Sequence, residues 1–213
     1  MGLNALQKIT YGLYVVGCYA DGWPVGCIIN TCFQVTSENP VLAISLNKNN
    51  FTLDAIKRNP RLCLSIIAED TDPSIIGKFG FYSGRDTDKY SDFGYTDLDG
   101  TPAVNGRFCG RLILDAFDFV DCGTHMLVLG RLVTSHNGEG RPMTYAYYHE
   151  VIKGSAPKNA PTYQRETIQE TPQKSSRTYK CDICGYTVES ADGLPDDYVC
   201  PICGADRSHF MEI

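Results

Sequence analysis

Long apolar runs are missing from this chain: none approaches the roughly 18 residues that a membrane-crossing helix needs, so no membrane span is expected. The first residues, MGLNALQKITYGL, lack the charged, apolar and small-residue zones of a secretory signal. Met-Gly without Ser or Thr at position 6 is also a poor acylation signal. There is no G-x-G-x-x-G and no Walker loop, so the signatures of a dinucleotide-binding Rossmann domain and of a nucleotide triphosphatase are absent. Positive charge is in deficit, with 19 Lys and Arg against 25 Asp and Glu. At 213 residues, what remains is room for one sizeable domain and a small second one.

Cysteine, in contrast, is plentiful, at ten residues. Four fall in the last thirty-five residues as two Cys-x-x-Cys pairs, Cys181/Cys184 and Cys200/Cys203, across a fifteen-residue spacer. Each pair places two thiolates on one tight turn, and each is followed by a glycine, Gly185 or Gly204, which accepts the positive φ such a turn requires. Four sulfurs so arranged suit a tetrahedral iron or zinc site. A segment this short cannot bury enough apolar surface to fold alone, so the metal must supply much of its stability. Spacing does not choose between iron and zinc, since a zinc ribbon uses the same arithmetic. Charge bears on the partner: residues 179–213 carry Lys180 and Arg207 against seven acids. A nucleic-acid ribbon needs a basic face, so nucleic acid is excluded as a partner. The other six cysteines (Cys18, Cys27, Cys32, Cys63, Cys109, Cys122) are irregularly spaced, mostly within apolar runs, and read as small buried hydrophobes. Free use of thiols beside a thiolate metal site predicts a reducing, cytoplasmic location.

The residues around the cysteines add a resemblance. Tyr-Lys-Cys-Asp-Ile-Cys-Gly-Tyr at 179–186 and Leu-Pro-Asp-Asp-Tyr-Val-Cys-Pro-Ile-Cys-Gly-Ala at 194–205 resemble rubredoxin, in the short form appended to rubrerythrin-type proteins. The resemblance implies one iron held by Cys181, Cys184, Cys200 and Cys203, cycling between ferric and ferrous, beside a small aromatic core of Tyr179, Tyr186, Tyr198 and Phe210.

Residues 1–163 read as a strand-dominated domain. Strands are predicted at Leu13–Tyr19, Val25–Ser37, Val41–Leu46, Leu62–Ala68, Leu112–Phe119, Met126–Ser135 and Thr144–Ile152, with Asp21-Gly22 as a hairpin turn. Short helices are predicted at Leu3–Tyr11, from Thr52 to before Pro60, and after Asp72-Pro73. Residues 80–100 read as a long polar and aromatic loop. Helices are too few to flank every strand, so the fold class is mainly β, an antiparallel barrel. Residues 164–178 are polar and read as a flexible linker, and its first fourteen residues have an r.m.s. span of about 20 Å.

The larger domain resembles the flavin reductase-like split barrel that binds FMN. Five stretches in order carry this: ITYGLYVV at 9–16, GCIINTCFQVT at 26–36, NKNNFT at 47–52, IGKFGFYSGRD at 76–86 and KGSAPKNAPTY at 153–163. The combination of such a barrel with a rubredoxin-like module resembles the high molecular weight rubredoxin family. The resemblance implies that Lys48, Asn49 and Thr52 meet the FMN phosphate, supplying a charge, an amide and a hydroxyl beside a helix start. Asn30, Thr31 and Cys32 match the segment along the isoalloxazine edge, where they tune the ring's potential. Arg85 is the candidate to close over the cofactor. His125 lies where many flavin reductases carry Gly-Asp-His near the nicotinamide; Thr124 stands in place of the acid, so His125 positions NAD(P)H rather than catalyses. His149 reads as packing at a strand end.

The expected activity is electron transfer from NAD(P)H, or an NADH-dependent reductase, through FMN to the iron and on to a flavodiiron protein. A homodimer is expected by resemblance alone. The alternatives are a flavin reductase releasing free reduced flavin, and a flavin-binding docking module with a structural zinc ribbon.

Overall fold

A computed structural model describes residues 6, 8–154, 160–162, 177–190 and 193–213. The larger domain is built on a seven-stranded sheet: β1 (Tyr14–Ala20), β2 (Trp23–Ile29), β3 (Cys32–Gln34), β4 (Val41–Asn47), β5 (Arg61–Ile67), β8 (Phe108–Asp121) and β9 (His125–Asn137). Between the last two groups lie β6 (Tyr95–Leu98) and β7 (Thr101–Val104), a separate hairpin. The order β2-β1-β5-β8-β9-β4-β3 is antiparallel throughout, and its two edges, β2 and β3, are consecutive in the chain. Only Asn30 and Thr31 separate them, so the chain itself closes the sheet into a barrel, split at that point. The expected strand over Val25–Ser37 is therefore two strands, broken where the chain crosses from one edge to the other.

Period-two alternation places the core. On β1, Val16, Cys18 and Ala20 join the barrel interior with Ile44, Leu46, Leu62, Leu64 and Val128. Val15 faces the other way, into a second cluster with Ile67, Ile75, Ile76, Phe79 and Tyr148. That second cluster exists because α2 (Pro73–Phe81) packs on the outside of the barrel. Helix α1 (Phe51–Arg58) begins at Asn50, whose side chain accepts from the Thr52 amide, and it fills the barrel's end with Leu53, Ala55 and Ile56.

The segment Thr144–Ile152 corrects an expectation: it is a helix, α3 (Tyr145–Glu150), not a strand. Thr144 caps it by accepting from the Tyr147 amide, and Tyr145, Tyr148 and Ile152 recur at helical spacing against the second cluster. His149 consequently sits on a helix, its Nδ1 donating to the Gly154 carbonyl at 2.7 Å.

The C-terminal module has a three-stranded sheet in the order β11 (Thr187–Ser190), β10 (Arg177–Cys181), β12 (Phe210–Glu212). Strand β10 starts within the stretch expected to be linker, so Arg177 and Thr178 belong to the module's sheet. The remainder of that stretch, and residues 3–5 and 7 of the helix expected at Leu3–Tyr11, lie outside the described residues; residues 9–11, which are described, are not helical, so the expected helix does not extend to Tyr11.

Candidate metal centre and cofactor cavity

The four cysteines converge. Their sulfurs all lie within 4.8 Å of one another. The Cys181–Cys203 and Cys184–Cys200 pairs are 3.7 and 3.5 Å apart. A tetrahedral centre with metal–sulfur bonds of ~2.3 Å has sulfur–sulfur edges of about 3.8 Å, so the cage already has the size a metal requires. The two turns are built alike. Gly185 and Gly204 both adopt φ 73°, and their amides donate to the carbonyls of Cys181 and Cys200 at 2.8 and 2.9 Å. The cysteine amides return the pattern, Cys181 to Tyr186 and Cys200 to Ala205. Four thiols so close cannot all ionise without a cation. Hydrogen bonds from the S–H groups of Cys184 and Cys203, with help from backbone amides, hold the Cys200 thiol below the usual thiol range. Cys184, sharing its proton with Cys200, is driven upward. Of the expected aromatic core, Tyr198 and Phe210 meet edge to face at 5.1 Å, and Tyr186 packs against the cysteine cluster.

In the larger domain, a cleft of about 210 Å³ opens between the ends of β2 and β4, the start of α1 and the end of α2. Asn30, Asn49 and His125 line it. Asn30 is 4% exposed, and its amide donates to the Thr162 hydroxyl at 2.8 Å while its carbonyl oxygen accepts from Thr31 at 3.1 Å. Thr162 in turn donates to the Tyr145 hydroxyl at 3.0 Å, so the cleft's rim is one hydrogen-bonded chain. His125 Nδ1 lies 2.8 Å from the Thr124 hydroxyl.

The other expected residues lie behind or beside this lining. Cys32 packs against the barrel core, and burial pushes its thiol up to about 12. Thr52 is buried at 2% exposure. Lys48 reaches away to Asp121 at 2.6 Å. Arg85 pins the loop after α2 to the start of α1: it donates to the Asn49 carbonyl at 3.0 Å and to Asp54 at 2.8 Å, over the face of Phe51. Of the six barrel cysteines, Cys18, Cys27 and Cys63 are buried as expected, whereas Cys122 is exposed.

Sequence reading missed two lining residues. Lys89 is 5% exposed and donates to the Gly26 and Phe79 carbonyls, both at 3.0 Å. Burial pushes its ammonium below the ordinary lysine range. Two of its three donors are used there, which leaves one for a ligand. Tyr148 is 1% exposed, and its hydroxyl has no hydrogen-bond partner among the described residues. That hydroxyl abuts Gly154 rather than the cleft, so it is the ring of Tyr148 that, with Phe79, Phe81, Tyr82 and Tyr145, walls a space fitting a flat aromatic ligand, with Asn30 and Lys89 at hand for polar edges. Neither residue belongs to a local motif; a lone lysine in a polar loop and a tyrosine in a run of tyrosines carry no signal.

Residues 6–155 match the family described as flavin reductase like domain, and residues 179–211 match the rubredoxin-like domain of rubrerythrin. The chain therefore belongs to the flavin reductase-like family and carries a C-terminal rubredoxin-like domain. It is similar over its full length to the high molecular weight rubredoxin of Moorella thermoacetica, at 35% identity over 229 residues, with 100% of each chain covered. The ferric-chelate reductase (NAD(P)H) of Archaeoglobus fulgidus is 34% identical over 165 residues, which cover 76% of this chain and 98% of that one. The crystal structure of nitrilotriacetate monooxygenase component B from Mycobacterium thermoresistibile shares the fold, with a TM-score of 0.60 at 20% identity over 78% of this chain and 92% of that one. The expected mainly β fold, a flavin reductase-like barrel with a rubredoxin-like module, is thus borne out. A flavin-binding fold and a four-cysteine iron-type site in one chain point to electron transfer.

Proposed function

We propose that this chain is an electron carrier that takes electrons at FMN in the barrel cleft and passes them to one iron held by Cys181, Cys184, Cys200 and Cys203. The observation that carries this reading is the packing of the cysteine cluster against Phe81, a residue of the cleft wall. A flavin accepts the two electrons of a hydride together and yields them singly, which matches a one-iron site that takes one at a time. The chain's residues do the positioning. Asn49, at the turn before α1, meets the phosphate, and the buried Thr52 starts the helix behind it; Lys48 would have to leave Asp121 to add its charge there. Asn30, Thr31 and Lys89 orient and polarise the ring's polar edge, and Cys32 backs that segment against the core. Arg85 holds the covering loop closed, and His125 orients a nicotinamide at the mouth.

NAD(P)H, which the Archaeoglobus relative's name includes, or an NADH-dependent reductase is the donor in this reading; a flavodiiron protein is the acceptor. The module's exposed acids, among them Asp182, Glu189, Asp196 and Asp197, suit an acceptor with a basic patch. We place the protein in the cytoplasm as a homodimer, for which exposed Trp23 and Phe33 on the edge strands supply apolar surface. No helix among the described residues is long and apolar enough to cross a membrane. The domain division in this reading is 1–163, a linker from 164, and a module that begins at Arg177, where its sheet starts.

The test is metal and flavin analysis of the purified protein, followed by anaerobic addition of NADH and NADPH. One FMN and one iron per chain are expected. If the iron stays ferric with both nucleotides, a separate reductase is the donor. Zinc in place of iron overturns the reading.

A further inference from the structure

Gly77 lies buried in the middle of α2, where glycine is the poorest helix former short of proline. Its φ is helical, so no turn explains it. A Cβ built there would fall 1.8 Å from the Ile202 carbonyl oxygen and 2.6 Å from the Cys203 Cα. No side chain can shift to relieve this, because both atoms are backbone of the second cysteine turn. Around that contact, the Tyr82 hydroxyl donates to the Cys203 carbonyl at 3.5 Å, and Phe81 and Ile152 pack against the cluster of Cys181, Cys184, Cys200 and Ile202. Ile202 is 2% exposed as a result. Phe81 and Tyr82 also line the cofactor cleft, together with Ile76 and Phe79 of the same helix. One helix and its C-terminal turn thus separate the cleft from the metal turn.

We propose that α2 is a built seat for the chain's own cysteine module, that Gly77 is the residue that admits it, and that electrons enter the metal centre across this seat. The electron-entry part rests on the reading of the chain as a flavin-to-iron carrier; the seat itself does not. The balance is simple. A hydride donor such as NADH becomes NAD⁺ and gives up two electrons and one net proton, which goes to solvent. The electrons cross α2 one at a time, each turning ferric iron ferrous. A one-electron acceptor protein reoxidises the iron between the two crossings.

The test uses the full chain, loaded with flavin and iron, and the variant Gly77→Ala. Alanine favours the helix, so the barrel is retained while the seat is blocked. Amides of α2 and of Ile202–Ala205 are expected to lose hydrogen-exchange protection in the variant. The rate at which reduced flavin bleaches the ferric spectrum is expected to fall at least about tenfold, because the tether still supplies a high but unoriented effective concentration. Dithionite reduces the iron of both proteins alike. Ile152→Glu, which approaches the module from the end of α3, must give the same losses, and it serves if Gly77→Ala does not fold. Unchanged protection in both variants overturns the seat. Lost protection with an unchanged rate overturns electron entry through it. Lost protection in a protein whose flavin never reduces its iron leaves the seat standing and overturns the carrier reading instead.

Discussion

Lys89 and the buried thiols show how far single residues can depart from their water-exposed chemistry here. Cys18 sits in the barrel interior, where burial and the neighbouring Cys27 push its thiol from 9.0 to about 12. Burial alone lifts Cys32 to about 12 as well. For both, the folded value lies above the unfolded one. The stability they contribute is complete below pH 9.0 and is lost as pH rises toward 12. Urea denaturation at a series of alkaline pH values should show stability falling through that window; a flat profile contradicts the assignment. Iodoacetamide on the native protein should label Cys122, which is exposed, and spare Cys18, Cys27 and Cys63. Arg85 acts through geometry. Its removal in Arg85→Ala should change stability by under ~1 kcal/mol, since the Asp54 pair is solvent-exposed. Flavin binding should weaken by about tenfold, because the loop after α2 is no longer pinned to α1. Fluorescence of released flavin on dilution measures it.

Among the elements, the cysteine turns were the most legible, because two glycines at fixed offsets and two Cys-x-x-Cys pairs have one geometric solution. Strands β1, β4 and β5 were equally plain as short apolar runs between turn residues. The hairpin β6–β7 was not, although its turn uses the same dipeptide as the first hairpin. Asp21-Gly22 has φ 50° and 85°, and Asp99-Gly100 has φ 52° and 78°. The second was obscured because Tyr95, Thr96 and Asp97 are all exposed, so no apolar alternation flags the strand. Helix α3 was misread because its tyrosines suit a strand by propensity, while its actual arbiter is the Thr144 cap. Thr144→Ala should therefore cost ~1 kcal/mol, seen as a lowered denaturation midpoint without a change in m-value. The cysteine module depends on its metal in a way the barrel does not. Cys184→Ser should abolish iron binding and melt β10, β11 and β12, with the barrel's sheet signals preserved in NMR spectra.

At the scale of the whole molecule, the cleft could not be assembled from sequence, because its parts come from strand ends, two helix termini and residues near 160 that meet only after the barrel closes. The seat for the cysteine module was equally hidden: one glycine in a helix signals nothing until the backbone of another domain is found against it. What the assembled molecule adds to its two domains is proximity. The central claim is that electrons pass from flavin to iron within one chain. It is tested most directly by reducing the flavin anaerobically and following loss of the ferric spectrum over a wide range of protein concentrations. The account predicts a rate independent of concentration. A rate that rises in proportion to concentration, or a ferric spectrum that persists beside fully reduced flavin, contradicts it.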